Sequence, residues 1–191
     1  MAVYHLPKSR MKKFLGRTDH AEDVIFVDVS PKTTGGWAAL APTFNHGEIP
    51  VPGMPGIFSK TVEGIWEGLK RYENEDENLA LFEADKPKKR RLTKDTGKVT
   101  GFKYGADVLR EEVEARRMIF IPAYTWMVRN CPEAKAKFDE LVDLARKHTL
   151  HVYDNEESAD VHDPKPYSYA ALLAEMVKDA RKAKSAAAAS V

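Results

Sequence analysis

Three side chains at helical spacing could together form a small-molecule site: Glu63, Trp66 and Lys70. Apolar residues around them recur at i, i+3, i+4 and i+7, which predicts an amphipathic helix, and these residues are Val62, Ile65, Trp66, Leu69 and Tyr72. Ser59 is the predicted N-cap, because its hydroxyl can accept a hydrogen bond from a first-turn amide. The alternative is a helix that only packs, with Glu63 and Lys70 in solvent.

Gly64 and Gly68 lie one turn apart in the same helix. Each costs about 1 kcal/mol relative to alanine in a helix interior. Their presence therefore indicates that another group approaches the helix backbone closely, and this group is either another helix or a ligand.

A carboxylate, an aromatic ring and arginines suit the cleavage of a glycosidic bond. The reaction passes through an oxocarbenium-like state, which a carboxylate can stabilise or hydrate with an activated water. An indole can stack on a base, and a guanidinium can bind a phosphate through two parallel hydrogen bonds. Glu63 near a helix N-terminus is favoured as the ionised form, which suits a stabiliser or a base.

The composition is that of an ordinary globular chain. Its 191 residues are 43% hydrophobic and 31% charged, and the formal net charge of +1 gives no general case for binding nucleic acid or a membrane. No apolar run is long enough for a membrane span, and no signal peptide is recognised. A single cysteine, Cys131, excludes an intrachain disulfide. We therefore expect a cytoplasmic protein without a membrane partner.

The order of the patterns predicts one domain over residues 23–181. A flexible arm of residues 1–22 precedes it, and a frayed alanine-rich tail of residues 182–191 follows. Strands are predicted at 24–29 and 149–153. Helices are predicted from Asp107 to Pro122, from Pro132 to about Lys147, and after the N-cap Ser168. The predicted fold class is mainly α with minor β, an α+β fold.

The stretch before the predicted helix is rich in proline and glycine and runs from Trp37 to Gly56. It cannot form a regular element, but its apolar residues should hold it against the domain. Rigid loops of this kind often carry ligand contacts. The candidates are Phe44, Asn45 and His46, and His46 is alternatively a structural imidazole.

Residues 86–98 form a basic loop that contains the run Lys-Pro-Lys-Lys-Arg-Arg. One interpretation is an electrostatic surface for phosphate or nucleic acid. The other is a solvated, mobile loop tip, and few aromatic residues interleave with the charges.

Further polar residues of the second half complete the candidate set. Arg110 and Arg117 project from the predicted helix after Asp107, and both suit phosphate binding. Asp154 and Asp160 lie in an acidic loop that could supply a second acid or base. The nearby histidines match no metal signature, so no metal is predicted, and they are His148, His151 and His162. No phosphate-binding glycine loop is present, and no cofactor is predicted.

Several segments resemble the NADAR (YbiA-like) family. Residues 61–70 resemble its helix motif with a central Glu and a trailing Lys, and residues 40–45 resemble an upstream aromatic segment. Residues 106–110, with Met118 eight positions later, resemble a second, arginine-containing motif. The order and spacing agree over residues 40–153. An uncharacterised bacterial and phage family of this type is more similar still, through the segments at 47–52, 114–117 and 121–124.

The resemblance implies a compact, mainly helical single-domain fold. It also implies an N-glycosidase or ligand-binding protein for ribosylated substrates, such as ribosylaminopyrimidines or ADP-ribosylated guanine, in a bacterial or phage-infected cell. Glu63 matches the catalytic Glu of the family, Lys70 its trailing Lys and Arg110 the Arg of its second motif. The chain departs from the family at Gly64, where a His or Tyr is usual, and at Glu67, where a Gln is usual.

Together these expectations give one leading hypothesis: an N-glycosidase-like hydrolase that uses Glu63. Aromatic contacts to the base or ribose would come from Phe44, Trp66 or Trp126, and phosphate contacts from Lys70, Arg110 and Arg117. One alternative is a non-catalytic module that binds ADP-ribose or a nucleotide. Another is a nucleic-acid-associated protein that uses residues 86–98.

Overall fold

The computed structural model describes residues 2–7, 9–11, 23–156 and 158–189. They form an α+β fold, as the sequence predicts. The strands are β1 (Val3–His5), β2 (Val24–Asp28), β3 (Ile49–Pro50), β4 (Phe58–Ser59), β5 (Lys70–Tyr72), β6 (Val99–Tyr104), β7 (Asp107–Leu109) and β8 (Thr149–Tyr153). The α-helices are α1 (Val62–Leu69), α2 (Glu112–Ala115), α3 (Ile121–Asn130), α4 (Pro132–Leu144) and α5 (Tyr169–Ala189).

The chain divides into two compact units. The first unit consists of Met1–Ala41 with Pro132–Val191, and the second consists of Pro42–Cys131. The single domain that the sequence predicts over residues 23–181 stays a prediction.

A parallel sheet in the order β1-β8-β2 forms the centre of the first unit. Val27, Leu150 and Val152 are fully buried, so the β-branched run of β2 packs where the sequence predicts a strand. Val3 in β1 is also buried. Residues 3–5 of the predicted arm thus form β1, and residues 1, 8 and 12–22 of that arm lie outside the described residues.

Helix α5 packs on β1 and β8, α4 packs against α5 and a 3-10 turn, Ala38–Leu40, and both helices begin where their sequences predict. Helix α4 begins at Pro132, where the missing amide of proline breaks no intrahelical bond. Helix α5 begins after Ser168, whose Oγ accepts a hydrogen bond from the amide of Ala171 at 3.1 Å. The alanine-rich end, predicted to fray from residue 182, continues α5 to Ala189.

Helix α1 belongs to the second unit and is shorter than predicted. Its N-cap is Thr61, whose side chain accepts a hydrogen bond from the amide of Gly64 at 2.8 Å. The prediction of Ser59 as N-cap is wrong, because Ser59 Oγ instead donates to the carbonyl of Thr61 at 3.0 Å. The helix ends at Leu69, and Lys70 turns into β5 with an extended backbone.

The glycines of α1 are explained by a neighbouring segment of the chain itself. A 3-10 turn, Leu79–Glu83, packs directly against the helix. A Cβ at Gly64 would lie 2.7 Å from the carbonyl oxygen of Leu81, and one at Gly68 would lie 2.7 Å from the ring of Phe82. The close approach predicted from the sequence is real, and a turn of the protein provides it.

An antiparallel sheet in the order β5-β6-β7 and one long helical stretch complete the second unit. The predicted helix start at Asp107 is wrong, because Asp107–Leu109 pair with β6. Helix α2 continues through a π-helical segment, Arg116–Phe120, directly into α3. Pro122 does not end the helix, since wider π-type turns precede it and tolerate its missing amide.

We expect Gly64→Ala to destabilise the protein by about 1 to 3 kcal/mol, although alanine is the better helix former, because the added methyl overlaps the carbonyl of Leu81. Urea unfolding measures the change. Gly35→Ala is the matched control, since its Cβ would meet nothing closer than 3.6 Å. Equal or greater stability of Gly64→Ala would contradict this packing.

Candidate functional site

Helix α1 is buried on every side except along one stripe. Six of its residues are buried, and the two that are partly exposed are Glu63 and Trp66. Lys70, which follows the helix, is also partly exposed. A carboxylate and an indole one turn apart therefore reach the surface, and the ammonium of Lys70 lies beside the indole. We call these three residues the α1 stripe.

Aromatic packing fixes Trp66 at the centre of the stripe. Its ring lies 4.4 Å from the ring of Phe102 on β6, and Phe120 contacts it edge-on at 5.7 Å. Phe120 is the last residue of the π-helical segment. The Nζ of Lys70 lies 5.6 Å from the indole centroid, within reach of a cation–π contact. These contacts therefore hold the indole in place, and part of it is exposed.

A buried carboxylate holds the lysine of the stripe. Glu67 is fully buried, and its Oε1 lies 2.5 Å from Nζ of Lys70, whose side chain is 12% exposed. Its other oxygen, Oε2, accepts a hydrogen bond from the amide of Arg90 at 2.8 Å. Glu67 thus fixes the ammonium position and connects α1 to the basic loop.

Arg90 is the anchor of that loop. Its guanidinium donates to the carbonyls of Lys70 at 2.6 Å and Asp76 at 2.7 Å, and it pairs with Glu75 at 3.1 Å. It also lies 4.9 Å from the ring of Tyr72. The interpretation of residues 86–98 as a mobile tip is therefore wrong at Arg90, whose side chain is 9% exposed.

The loop before α1 is tied to the helix start. The amide of Glu63 donates to the carbonyl of Pro42 at 2.8 Å. Asn45 donates through Nδ2 to Asp85 at 3.0 Å, and the ring of Phe44 lies 4.8 Å from the ring of His46. Phe44 is partly exposed and Asn45 is exposed, so both remain available to a ligand.

The other candidates of this unit lie elsewhere on its elements. Arg110 follows β7 and lines a cleft of about 600 Å³ together with Arg71 and residues 73–76. Val108 lines the same cleft, whereas Leu109 is buried, so alternation along the strand turns Arg110 away from the face of Phe102. Arg117 and Trp126 are exposed on the π-helical segment and on α3.

Asp154 and Asp160 belong to the first unit, and they differ in their surroundings. Asp160 is exposed and its Oδ1 accepts from the amide of His162 at 2.9 Å. Asp154 is fully buried and accepts from Ser168 Oγ at 2.8 Å and from the amides of Ala170 and Glu156 at 2.9 Å each. Asp154 therefore joins the end of β8 to the start of α5.

Ser168 completes this capping network. Because its Oγ donates to Asp154, it must accept from Nε2–H of His5, which lies 2.9 Å away on β1. Burial lowers the pKa of His5. The three side chains resemble a hydrolytic triad in composition only, because the serine is fully buried and stands between the other two.

His148, His151 and His162, for which no metal is predicted, differ in their surroundings. His151 is buried between the rings of Tyr4 and Phe26, at 5.3 Å and 5.6 Å. His148 is partly exposed and His162 is exposed. Within the described residues, no group of three His, Cys, Asp or Glu side chains is placed to hold a metal ion. Nor does any helix in that part of the chain combine the length and apolar character of a membrane span.

Sequence reasoning missed the residues that support the stripe: Glu67, Arg90, Phe102 and Phe120. Glu67 and Lys70 have a local signal, since they are three residues apart on one helix. Arg90, Phe102 and Phe120 reach α1 from distant parts of the chain, and a single sequence contains no signal for such contacts.

Comparison with known proteins identifies a family but not an activity. Residues 8–173 match the model of a family of unknown function, DUF6939, so the chain belongs to that family. No curated protein and no solved structure matches the chain. The resemblance to the NADAR family stays a prediction.

We expect the stability difference between wild type and Asp154→Asn to depend on pH. Burial raises the pKa of Asp154 to about 6, against hydrogen bonds that favour the charged form. The folded state then binds the proton more tightly than the unfolded state. The stabilising contribution of Asp154 to the free energy of unfolding is therefore present at low pH and is lost as pH rises through 6. Between pH 4 and pH 7 the wild type should lose about 2 kcal/mol relative to the variant.

Urea unfolding of both proteins across this pH range measures the difference. Asn155→Ser in the same loop is the control, because neither asparagine nor serine titrates in this pH range. A difference between wild type and Asp154→Asn that does not change with pH would contradict the buried, proton-binding carboxylate.

Proposed function

We propose that the chain is an N-glycosidase-like hydrolase that cleaves the N-glycosidic bond of a ribosylated or ADP-ribosylated base or nucleotide. The observation that carries the proposal is the α1 stripe. This helix is otherwise buried and reaches solvent through the side chains of Glu63 and Trp66. Lys70, also partly exposed, follows directly after the helix. The resemblance matches Glu63 and Lys70 to the family's catalytic Glu and trailing Lys, and Trp66 lies between them in the same motif.

Each member of the stripe has a distinct proposed role. The indole of Trp66, backed by Phe102, stacks on the base or the ribose. Lys70, held by Glu67, meets a phosphate or another anionic group. Glu63 lies in the first turn of α1, where the helix dipole favours the carboxylate. That charge stabilises the oxocarbenium-like state or orients the attacking water.

The other predicted contacts enter the proposal unequally. Phe44 and Asn45 lie in the loop tied to the start of α1, so they are the nearest further candidates for substrate contacts. Of the two carboxylates of the first unit, Asp160 is exposed, whereas Asp154 is fully buried and already accepts three hydrogen bonds, so no catalytic role is proposed for Asp154. Arg110, Arg117 and Trp126 remain proposed phosphate and ring contacts. The proposed location is the cytoplasm of a bacterial or phage-infected cell.

We expect Glu63→Gln to reduce base release by about 100-fold or more, because the amide carries no charge and cannot activate water. The purified protein is incubated with ADP-ribosylated guanosine, NAD and ribosylaminopyrimidine phosphates, and freed bases are measured by mass spectrometry. Glu114→Gln is the control, since Glu114 is an exposed carboxylate on α2.

Unchanged base release by Glu63→Gln would contradict the role of this carboxylate. No product from any substrate, with the protein shown to be folded, would contradict the hydrolase. A ligand that raises the melting temperature of both wild type and Glu63→Ala would then establish a non-catalytic binding module.

A further inference from the structure

The basic loop is fixed beside the α1 stripe and is not an independent appendage. One carboxylate, Glu67, contacts both Nζ of Lys70 and the amide of Arg90. Further along, the amide of Lys98 donates to Glu73 at 3.0 Å, and Asn74 Nδ2 donates to the carbonyl of Asp95 at 3.0 Å. The run from residue 86 to residue 91 therefore starts from a defined position next to Lys70.

The cations on either side of Arg90 face solvent. The exposed ones are Lys86, Lys88, Lys89 and Arg91. Lys86, Lys88 and Arg91 form no ion pair with any described residue. We call Lys86, Lys88 and Arg91 the open cations.

Three nearby carboxylates do not neutralise the open cations, because they already have other partners. Asp85 pairs with Lys60 at 2.9 Å, and Glu75 pairs with Arg90 at 3.1 Å. Asp76 pairs with Arg71. Although the whole chain is close to neutral, this segment keeps a local positive charge on its outer side. Such a charge attracts anions most strongly at low salt.

The length of the run indicates what kind of anion fits it. The backbone is irregular between residues 87 and 93, and six residues in extended form span up to about 20 Å. The phosphates of a free nucleotide lie together, whereas the open cations are distributed along a run of up to this length. A nucleic-acid strand presents a phosphate at every nucleotide and can contact several.

We propose that the open cations bind the phosphodiester backbone of a nucleic-acid strand, one base of which stacks on Trp66. The contact with the nucleic-acid backbone is inferred from the charge and the fixed position of the loop. The stacking of a base on Trp66 depends in addition on the proposed function of the α1 stripe. Base stacking and backbone contacts from one surface are the usual combination in proteins that bind single strands. A lipid surface fits less well, because Leu92 is the only large apolar side chain exposed between residues 86 and 98.

The test measures dissociation constants of short fluorescent oligonucleotides by anisotropy, for single-stranded DNA, single-stranded RNA and duplex DNA, over a range of salt. The loop variant combines Lys86→Gln, Lys88→Gln and Arg91→Gln. The control variant removes the same charge elsewhere, from exposed cations outside ion pairs, and combines Lys32→Gln, Arg129→Gln and Lys147→Gln. A second variant, Trp66→Leu, is measured on a normal and on a fully abasic strand.

The loop variant should bind single strands about tenfold or more weakly than the control variant. Its slope of log affinity against log salt should fall by about 2, since each lost contact on a single strand contributes about 0.7. Trp66→Leu should weaken binding of the normal strand about fivefold or more and leave the abasic strand unchanged. Tighter binding of DNA or of RNA by the wild type then identifies the strand.

Equal affinities of the loop and control variants would overturn the proposal, as would equal losses of Trp66→Leu on normal and abasic strands. Base release from free nucleotides without any oligonucleotide binding would overturn it and leave the hydrolase intact. Loop-dependent binding of strands without base release would support the binding surface and contradict the hydrolase.

Discussion

The second unit depends on one buried carboxylate. Glu67 is fully enclosed, and both of its oxygens have partners, Lys70 on one side and the amide of Arg90 on the other. Removing one partner from a buried ion pair typically costs about 3 to 5 kcal/mol, since the remaining charge is left without compensation. The position of the stripe's ammonium and the path of the basic loop therefore have the same origin.

Around this carboxylate, α1 is enclosed by segments distant in sequence. The turn Leu79–Glu83 packs against its glycines, and Phe102 and Phe120 pack against Trp66. Glu63 and Trp66 are the residues of α1 that stay partly exposed. The first unit uses its buried polar groups differently, because Asp154, Ser168 and His5 hold a helix start against a sheet.

The sequence predicts the features that depend on local periodicity and capping. It places α1, β2, β8 and the starts of α4 and α5, and it places Glu63, Trp66 and Lys70 on one line. It misplaces the N-cap of α1 by two residues, because Ser59 and Thr61 are both good caps and only packing selects between them. It also misreads β5 and β7, since short strands depend on partners that are distant in sequence. The sequence does not distinguish Arg90 from its basic neighbours, although the five other cations of residues 86–94 are exposed and Arg90 is not.

Hydrogen–deuterium exchange at the amide of Arg90, compared between the wild type and Glu67→Gln, measures whether Glu67 holds the basic loop. In the wild type this amide should be strongly protected. In the variant the backbone amides of residues 86–91 should exchange faster, because a neutral glutamine side chain attracts Lys70 and the Arg90 N–H less strongly than a carboxylate does. Peptides of α3 should stay protected. A wild-type Arg90 amide that exchanges at the rate of an unstructured peptide would show that Glu67 does not fix the path of the basic loop.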